Sequence, residues 1–126
     1  MKLKNELYNI KGKNIAATEA CYDIELDSEH FIYKAHFPGE PITPGVCIIQ
    51  IAQELLEDTL GKTLQIVKVK NVKFLSVITP RQSTSVNYRI GKIAEDAASG
   101  IVKAQVTVAS ADEVKAKISF VCAEKQ

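Results

Sequence analysis

The chain has 126 residues, which is enough for one domain with a hydrophobic core and too few for two. Apolar residues make up 46% and charged residues 25% of the sequence, proportions that exclude an intrinsically disordered chain. The formal net charge of +1 leaves no basic excess, so neither nucleic acid nor an anionic membrane is expected as the main partner. We predict a single domain over residues 1–126.

The amino-terminal residues and the cysteines indicate a reducing environment. Residues 1–10 contain no long apolar run, so we expect no signal peptide or transmembrane segment and a cytoplasmic location. Cys21, Cys47 and Cys122 are far apart and form no CxxC pair, and with two histidines in the chain no metal site is expected. Cys47 could be a nucleophile, but its apolar neighbours favour a buried, inert thiol.

Two extended segments are predicted before residue 40. Residues 17–26 alternate between apolar and polar side chains, which is typical of a half-buried strand. Its apolar face consists of Ala20, Tyr22, Ile24 and Leu26. Residues 30–37 are rich in aromatic residues and precede Pro38-Gly39, so we predict a second extended segment there.

From Val46 to about Leu60 the apolar residues recur with the helical period. Pro44 precedes this segment, where its missing N–H costs nothing, and Gly61 supplies a helix stop. The apolar surface is wider than an ordinary amphipathic stripe, and we expect a curved sheet to surround the helix. That surface comprises Val46, Ile48, Ile49, Ile51, Ala52, Leu55, Leu56 and Leu60.

Four further strands are predicted after the helix. They cover residues 65–78, 85–90, 102–109 and 114–123, with turns at 91–100 and 110–113. The last three strands, with these two turns, have the pattern of an antiparallel meander. The predicted fold class is therefore α+β, with one antiparallel sheet around one helix.

The residues between the second extended segment and the helix form a dense motif. It reads His36-Phe37-Pro38-Gly39, then Pro41-Ile42, Pro44-Gly45-Val46 and Ile48-Ile49. This motif resembles the signature of the 3-hydroxyacyl-acyl-carrier-protein dehydratases of the hotdog fold. Residues 66–80 also resemble the segment that follows the helix in that family, and the predicted strand order fits along the whole chain.

The resemblance implies a homodimer, or an oligomer of dimers, with two acyl tunnels at the subunit interface. The implied substrate is a 3-hydroxyacyl chain on the phosphopantetheine arm of an acidic acyl carrier protein, and the product is a trans-2-enoyl thioester. No metal or redox cofactor is implied. His36 corresponds to the catalytic histidine, which works with a carboxylate from the partner subunit's helix, and Phe37, Gly45 and Val46 are the expected substrate contacts.

Elementary chemistry calls for the same groups. Elimination of a β-hydroxyl needs a base near the C2 hydrogen, and a histidine with a pKa of about 6.5 suits this role. Unpaired N–H groups at the helix start can stabilise the charge that develops on the thioester carbonyl, and Gly45 permits a close approach. His30 has no such context and is predicted to be structural.

The sequence departs from the resemblance at one position. Counting forward from His36, the position of the family's carboxylate falls on Gln50, whose carboxamide cannot act as a general acid at neutral pH. Glu54 lies one helical turn further on, about 6 Å along the axis, which we expect to be too far for proton transfer. Glu54, Glu57 and Asp58 are predicted to form a solvated or interface edge of the helix.

Lysines cluster at Lys68, Lys70 and Lys73, with Arg81 nearby. The general preference of lysine for solvent favours an ordinary solvated strand face. An acidic carrier protein that docks on Arg81 and Lys73 is the functional alternative.

Three functions remain open at this point. The first is dehydration by His36, with Gln50 positioning the hydroxyl or a water. The second is thioester hydrolysis, in which a water held by Gln50 attacks the carbonyl. The third is a non-catalytic subunit that binds acyl chains or completes a heterodimer with an active relative.

Overall fold

The computed structural model of the protein describes residues 2–35 and 39–125. Its elements in chain order are β1 (Tyr8–Ile15), β2 (Ala20–Leu26), α1 (Ile32–Ala35), α2 (Gly45–Leu60), β3 (Leu64–Phe74), β4 (Ser85–Asp96), β5 (Ile101–Ser110) and β6 (Glu113–Glu124). The predicted α+β class is confirmed. The architecture fits the hotdog fold.

Within the described residues, six strands form one antiparallel sheet in the order β1-β2-β4-β5-β6-β3. β4, β5 and β6 are the predicted meander, and the turn at 110–113 is confirmed. Ala111 and Asp112 both have positive φ in that turn, 52° and 62°. The turn predicted over 91–100 is longer than the observed one, because β4 continues to Asp96 through a bulge at Lys92.

Helix α2 begins and ends where the sequence predicts. Pro44 is the N-cap, and Gly61 adopts the left-handed conformation, donating its N–H to Glu57 O. The helix packs into the core through Ile48, Ile51, Ala52, Leu55 and Leu56, among others. Val46, which was predicted to belong to the apolar packing surface, is instead 76% exposed.

The prediction of an extended segment over residues 30–37 was wrong for the residues that the structure describes. Ile32–Ala35 form one turn of helix, α1. His30 Nδ1 accepts the N–H of Ile32 at 3.1 Å, and the His30 ring stacks on Phe31. A side-chain cap at the start of the segment therefore competes successfully with its β propensity. His30 is structural, as predicted.

Both edge strands differ from the prediction. β1 was not predicted, because most of its side chains are exposed and no clear alternation identifies it. β3 ends at Phe74, although the predicted strand runs to residue 78. The N–H groups of Leu75 and Ser76 both point to Lys115 O, so the chain bends away from regular pairing there.

Part of the inner face of β3 is not covered by α2. The register places Val69 opposite Phe120 and Phe74 opposite Ala116, and both partners are buried in the core. Side chains directly opposite each other in an antiparallel pair lie on the same face of the sheet. Nevertheless Val69 is 41% and Phe74 is 49% exposed. The sheet therefore extends further than α2 covers.

Among the described residues, no helix combines the length and the apolar character that crossing a membrane requires.

Candidate active site

The three residues at the head of the motif, His36, Phe37 and Pro38, lie outside the described residues. The structure does describe the residues on either side of them. Tyr33 in α1 and Thr43 share a hydrogen bond of 2.9 Å between their hydroxyl groups, and Thr43 donates its N–H to Ile78 O at 2.8 Å. Tyr33 and Thr43 are buried. The flanks of the motif are therefore fixed to each other and to the segment that follows β3.

Gln50 lies in α2 and is partly buried. Its Nε2 donates a hydrogen bond of 2.9 Å to Glu54 Oε2. The axial separation of about 6 Å therefore does not keep Glu54 away from Gln50, while the expectation that Glu54 cannot serve as the acid stays a prediction. The axial rise measures the backbone separation, whereas side chains four residues apart on a helix lie side by side.

Glu54 is buried, with 5% of its surface exposed, and its carboxylate receives four hydrogen bonds. Oε2 accepts the N–H of Leu3 at 2.8 Å as well as the Gln50 amide. Oε1 accepts the N–H of Lys4 at 2.9 Å and the hydroxyl of Tyr8 at 3.0 Å. The predicted solvated or interface edge is therefore wrong for Glu54, because the amino-terminal segment covers it.

The Tyr8 hydroxyl is a dependable donor in this cluster. Burial raises the pKa of Tyr8 far above its ordinary value, and the charge and hydrogen bond of Glu54 raise it further. The phenol therefore keeps its proton throughout the physiological range.

Glu57 and Asp58 are also held by the chain rather than by solvent. Glu57 accepts the N–H of Leu64 at 2.7 Å. Asp58 accepts the Tyr22 hydroxyl at 2.7 Å and pairs with Lys13 Nζ at 2.9 Å. Burial opposes the charge of Asp58, but the hydrogen bonds from Tyr22 and Lys13 outweigh it and lower the pKa of the carboxyl. Glu57 and Asp58 are therefore partly buried and not simply solvated, and the interface that was predicted as the alternative stays a prediction.

The helix start is closely approached by an aromatic ring. A Cβ placed on Gly45 would lie 2.8 Å from Phe74 Cζ, so this position requires glycine while the ring stays where it is. Cys47 and Ile48 donate their N–H groups to Pro44 O, and the N–H groups before them have no partner within the helix. On the side where a Cβ would stand, the close approach that Gly45 permits is therefore used by Phe74.

The predicted docking residues line separate surface grooves. Lys73 faces Lys117 across the β3–β6 pair and lines a groove of about 510 Å³. Arg81 lines another groove, of about 590 Å³, together with Ile42 and Val77. The structure therefore does not gather Lys73 and Arg81 into one groove, and Lys117 is the cation that it adds beside Lys73.

Cys47 is buried, as predicted, and burial raises the pKa of its thiol. A raised pKa disfavours the thiolate that a nucleophile needs. Within residues 2–35 and 39–125, no three histidine, cysteine or acidic side chains come together as a metal site.

Comparison with known proteins identifies the family. Residues 12–115 match the ApeI-like family, described as ApeI dehydratase. The chain belongs to the ApeI-like dehydratase family. It is 33% identical over 96 residues to the 3-hydroxyacyl-acyl-carrier-protein dehydratase FabZ of Clostridium acetobutylicum, a match that covers 71% of this chain and 67% of that one. The resemblance inferred from the motif is confirmed.

Solved structures support the fold of this ApeI-like chain. The dehydratase heterocomplex ApeI:P from Xenorhabdus doucetiae matches with a TM-score of 0.70 and 18% identity, over 91% of this chain and 96% of that one. A hypothetical thioesterase of Streptococcus pneumoniae TIGR4, solved with coenzyme A, matches with a TM-score of 0.63 and 8% identity, over 94% and 85%. At such identities the likeness establishes the fold alone.

Sequence reasoning missed the roles of Glu54 and Tyr8. The i, i+4 spacing of Gln50 and Glu54 was an available signal, because it predicts side-chain contact on any helix. The contributions of Tyr8 and of the Leu3 and Lys4 N–H groups had no comparable signal, since they depend on where β1 lies.

We expect Asp58→Asn to destabilise the fold at neutral pH by about 1–2 kcal/mol, because it weakens charge-assisted hydrogen bonds. A carboxyl whose pKa is lowered in the folded state stabilises the fold above its unfolded pKa, about 3.9. That contribution is lost as the pH falls through the lower, folded-state value. Urea unfolding should therefore show a difference between the natural protein and the variant at pH 7 that shrinks toward pH 3. Glu19→Gln, at an exposed position, is the control and should show little difference at either pH. A difference for Asp58→Asn that does not depend on pH would contradict the assignment.

Proposed function

We propose that this chain is a 3-hydroxyacyl-acyl-carrier-protein dehydratase with a weakened acid. The observation that carries the proposal is the match of residues 12–115 to a dehydratase family, which includes the motif at His36 and the helix that bears Gln50. The identity to FabZ supports a hydroxyacyl thioester as the substrate.

In the proposed reaction, His36 takes the proton from C2 of the substrate. The electron pair of that C–H bond forms the C2=C3 double bond, and the C3–O bond breaks. The proton then passes from His36 to the departing oxygen, so that water and a trans-2-enoyl thioester result. N–H groups at the start of α2 stabilise the carbonyl oxygen while C2 loses its proton.

Gln50 holds the 3-hydroxyl but does not protonate it. Its amide has no acidic proton at neutral pH. Glu54 cannot replace the missing acid, because its four hydrogen bonds occupy both carboxylate oxygens. General acid catalysis by one group typically contributes about 10²–10⁴-fold. We therefore expect slow turnover in which His36 moves the proton at both stages.

Substrate binding is assigned to the helix start and its surroundings. Phe37, Gly45 and Val46 are the proposed contacts, and the exposure of Val46 leaves its side chain available to an acyl chain. Phe74, which packs on Gly45, adds an apolar wall to this region.

A homodimer is the proposed assembly. β3 is an edge strand, and the inner-face residues Val69 and Phe74 are only partly covered within one chain. A second copy joined along β3 would bury them and would satisfy the open strand edge.

One observation favours a second candidate function. Gln50 lacks the ionisable carboxyl group that the motif leads one to expect, so the chain is also suited to a pairing in which a companion supplies that group. The relative from Xenorhabdus doucetiae is itself part of a dehydratase heterocomplex. Activity that appears only when such a companion is added would favour this candidate.

We expect the protein to sediment at twice its chain mass of 13.8 kDa at micromolar concentration. Val69→Lys places a charge on the uncovered inner face of β3 and should shift the equilibrium toward monomer. Val114→Lys, at the β5–β6 hairpin, is the matched control and should remain dimeric. If the natural protein sediments as a stable monomer, the proposed homodimer is wrong.

We expect Arg81→Glu and Lys73→Glu each to weaken binding to an acidic acyl carrier protein about tenfold. The natural interaction should weaken as salt rises, because exposed charges are screened beyond about 8–10 Å at physiological ionic strength. Lys11→Glu, which makes the same charge change on the opposite edge strand, should have little effect. Titrations at low and high salt check this expectation. An affinity that changes neither with salt nor with Arg81→Glu would contradict it.

We expect Gln50→Glu to raise dehydratase turnover at least tenfold, because the new carboxyl can protonate the departing oxygen. His36→Ala should abolish activity with either residue at position 50. Gln53→Glu, the same change on the same helix, should bring no gain. Mass spectrometry of the products formed from 3-hydroxyacyl carrier proteins measures the turnover of all four variants.

The dehydratase proposal fails on one combined result. It fails if the natural protein shows no dehydratase activity that His36→Ala could abolish and if, in addition, the folded Gln50→Glu variant has no higher turnover than the natural protein.

A further inference from the structure

We propose that Glu54 is a positioning residue that fixes the side-chain amide of Gln50, with Nε2 turned toward the carboxylate and the amide oxygen turned away from it. The consequence for catalysis rests on the proposed dehydratase function. The hydrogen bond itself can be tested without any turnover.

The direction of this hydrogen bond follows from what Glu54 accepts. The N–H groups of Leu3 and Lys4 can only donate, and they reach opposite oxygens of the carboxylate at 2.8 and 2.9 Å. Tyr8 and Gln50 add one hydrogen bond to each oxygen. An ionised carboxylate has about four acceptor sites and no donor. Since all four are in use, Gln50 has to meet Glu54 with its NH₂ group, because its own oxygen cannot donate.

Glu54 is suited to this role because it is held independently of Gln50. Three of its four hydrogen bonds come from the amino-terminal segment and β1, more than 40 residues away in sequence. The side chain is buried, so no water competes for these donors. Gln50 therefore faces a fixed acceptor, and its own side chain loses rotational freedom.

The chemical result is a defined polarity at position 50. One proton of Nε2 is used by Glu54, and the amide oxygen lies at the other end of the group. That oxygen is an acceptor, and it suits the O–H of a 3-hydroxyacyl substrate. A hydroxyl held in this way keeps C3–O in a fixed orientation for elimination.

The same contact predicts what a carboxyl at position 50 would experience. The carboxyl introduced by Gln50→Glu would lie where the amide now meets Glu54 Oε2 at 2.9 Å. Two carboxylates at such a separation cannot both ionise readily, so one proton is retained to a higher pH. Glu54 would therefore determine the pH range in which the introduced acid is active.

The first test observes the Gln50 amide directly, by nitrogen-15 NMR of the glutamine side chains in the 126-residue chain. In the natural protein we expect the Gln50 NH₂ signals to be shifted and slow to exchange with solvent. Glu54→Gln should remove the shift and raise the exchange rate at least tenfold. Tyr8→Phe is the matched control, because it removes a donor from Oε1 and leaves the oxygen that holds Gln50 unchanged. Gln50 signals that are the same in the natural protein and in Glu54→Gln would overturn the proposal.

A second variant covers the case in which Glu54→Gln does not fold. Glu54→Asp keeps the negative charge but shortens the side chain by one methylene, which withdraws the carboxylate from Gln50. We expect the same loss of exchange protection at Gln50, and unchanged protection would again overturn the proposal.

The second test uses the pH dependence of turnover. In Gln50→Glu, activity should fall at high pH as the introduced carboxyl loses its proton. Adding Glu54→Gln to that variant should move this fall at least one pH unit lower, which a purely structural role would not do. An unchanged profile would overturn the catalytic consequence. If neither the natural protein nor the folded Gln50→Glu variant has any activity, the dehydratase proposal fails, and the NMR result still decides whether Glu54 positions Gln50.

Discussion

One buried carboxylate connects the parts of this protein that matter most for its candidate site. Glu54 lies in the middle of α2 and accepts donors from Leu3, Lys4 and Tyr8, so it attaches the amino-terminal segment and β1 to the helix. In the described part of the chain, none of the ion pairs includes Glu54. A buried charge without an opposite charge depends on its hydrogen bonds, and here every acceptor site has a donor. The position of β1 and the orientation of Gln50 are therefore determined by the same group.

This arrangement also constrains the chemistry that the helix can perform. A carboxylate whose acceptor sites are all in use has no hydrogen to offer to a neighbouring side chain. The residue beside it has to offer a hydrogen without adding a second negative charge. A glutamine amide meets both requirements, whereas a carboxyl has to keep its proton to do so. The amide at position 50 and the anion at position 54 are thus chemically matched, and the identity of one limits the identity of the other.

The sequence was informative where local rules determine structure. The boundaries of α2 follow from Pro44 and Gly61, and the buried face of β2 follows from its alternation. It was uninformative where distant segments meet. β1 carries mostly exposed side chains, so nothing in its pattern indicates that Tyr8 reaches Glu54. The acidic side chains of α2 were assigned to solvent for the same reason, because their donors come from residues far away in sequence.

The error over Glu54 has a different cause from the error over α1. Distance along the helix axis was used in place of the distance between side chains, and the two differ most for long side chains one turn apart. In α1, by contrast, aromatic and β-branched residues favoured a strand, and a hydrogen bond from Ile32 to the His30 ring favoured a helical turn. Backbone hydrogen bonds from Tyr33, Lys34 and Ala35 accompany it, so local bonds prevail over β propensity in a segment of only four residues.

Different kinds of contact cover the two ends of α2. Toward its carboxyl-terminal half, hydrogen bonds from the chain's own segments cover the acidic side chains. At its start, the contacts are apolar and incomplete, because Val46 is exposed and the Phe74 ring covers Gly45 while remaining half exposed itself. Apolar side chains in such positions gain stability when a further apolar surface covers them. The described motif residues Pro44, Gly45 and Val46 lie at this end, so the chemistry assigned to the helix start depends on what comes to lie against Val46 and Phe74.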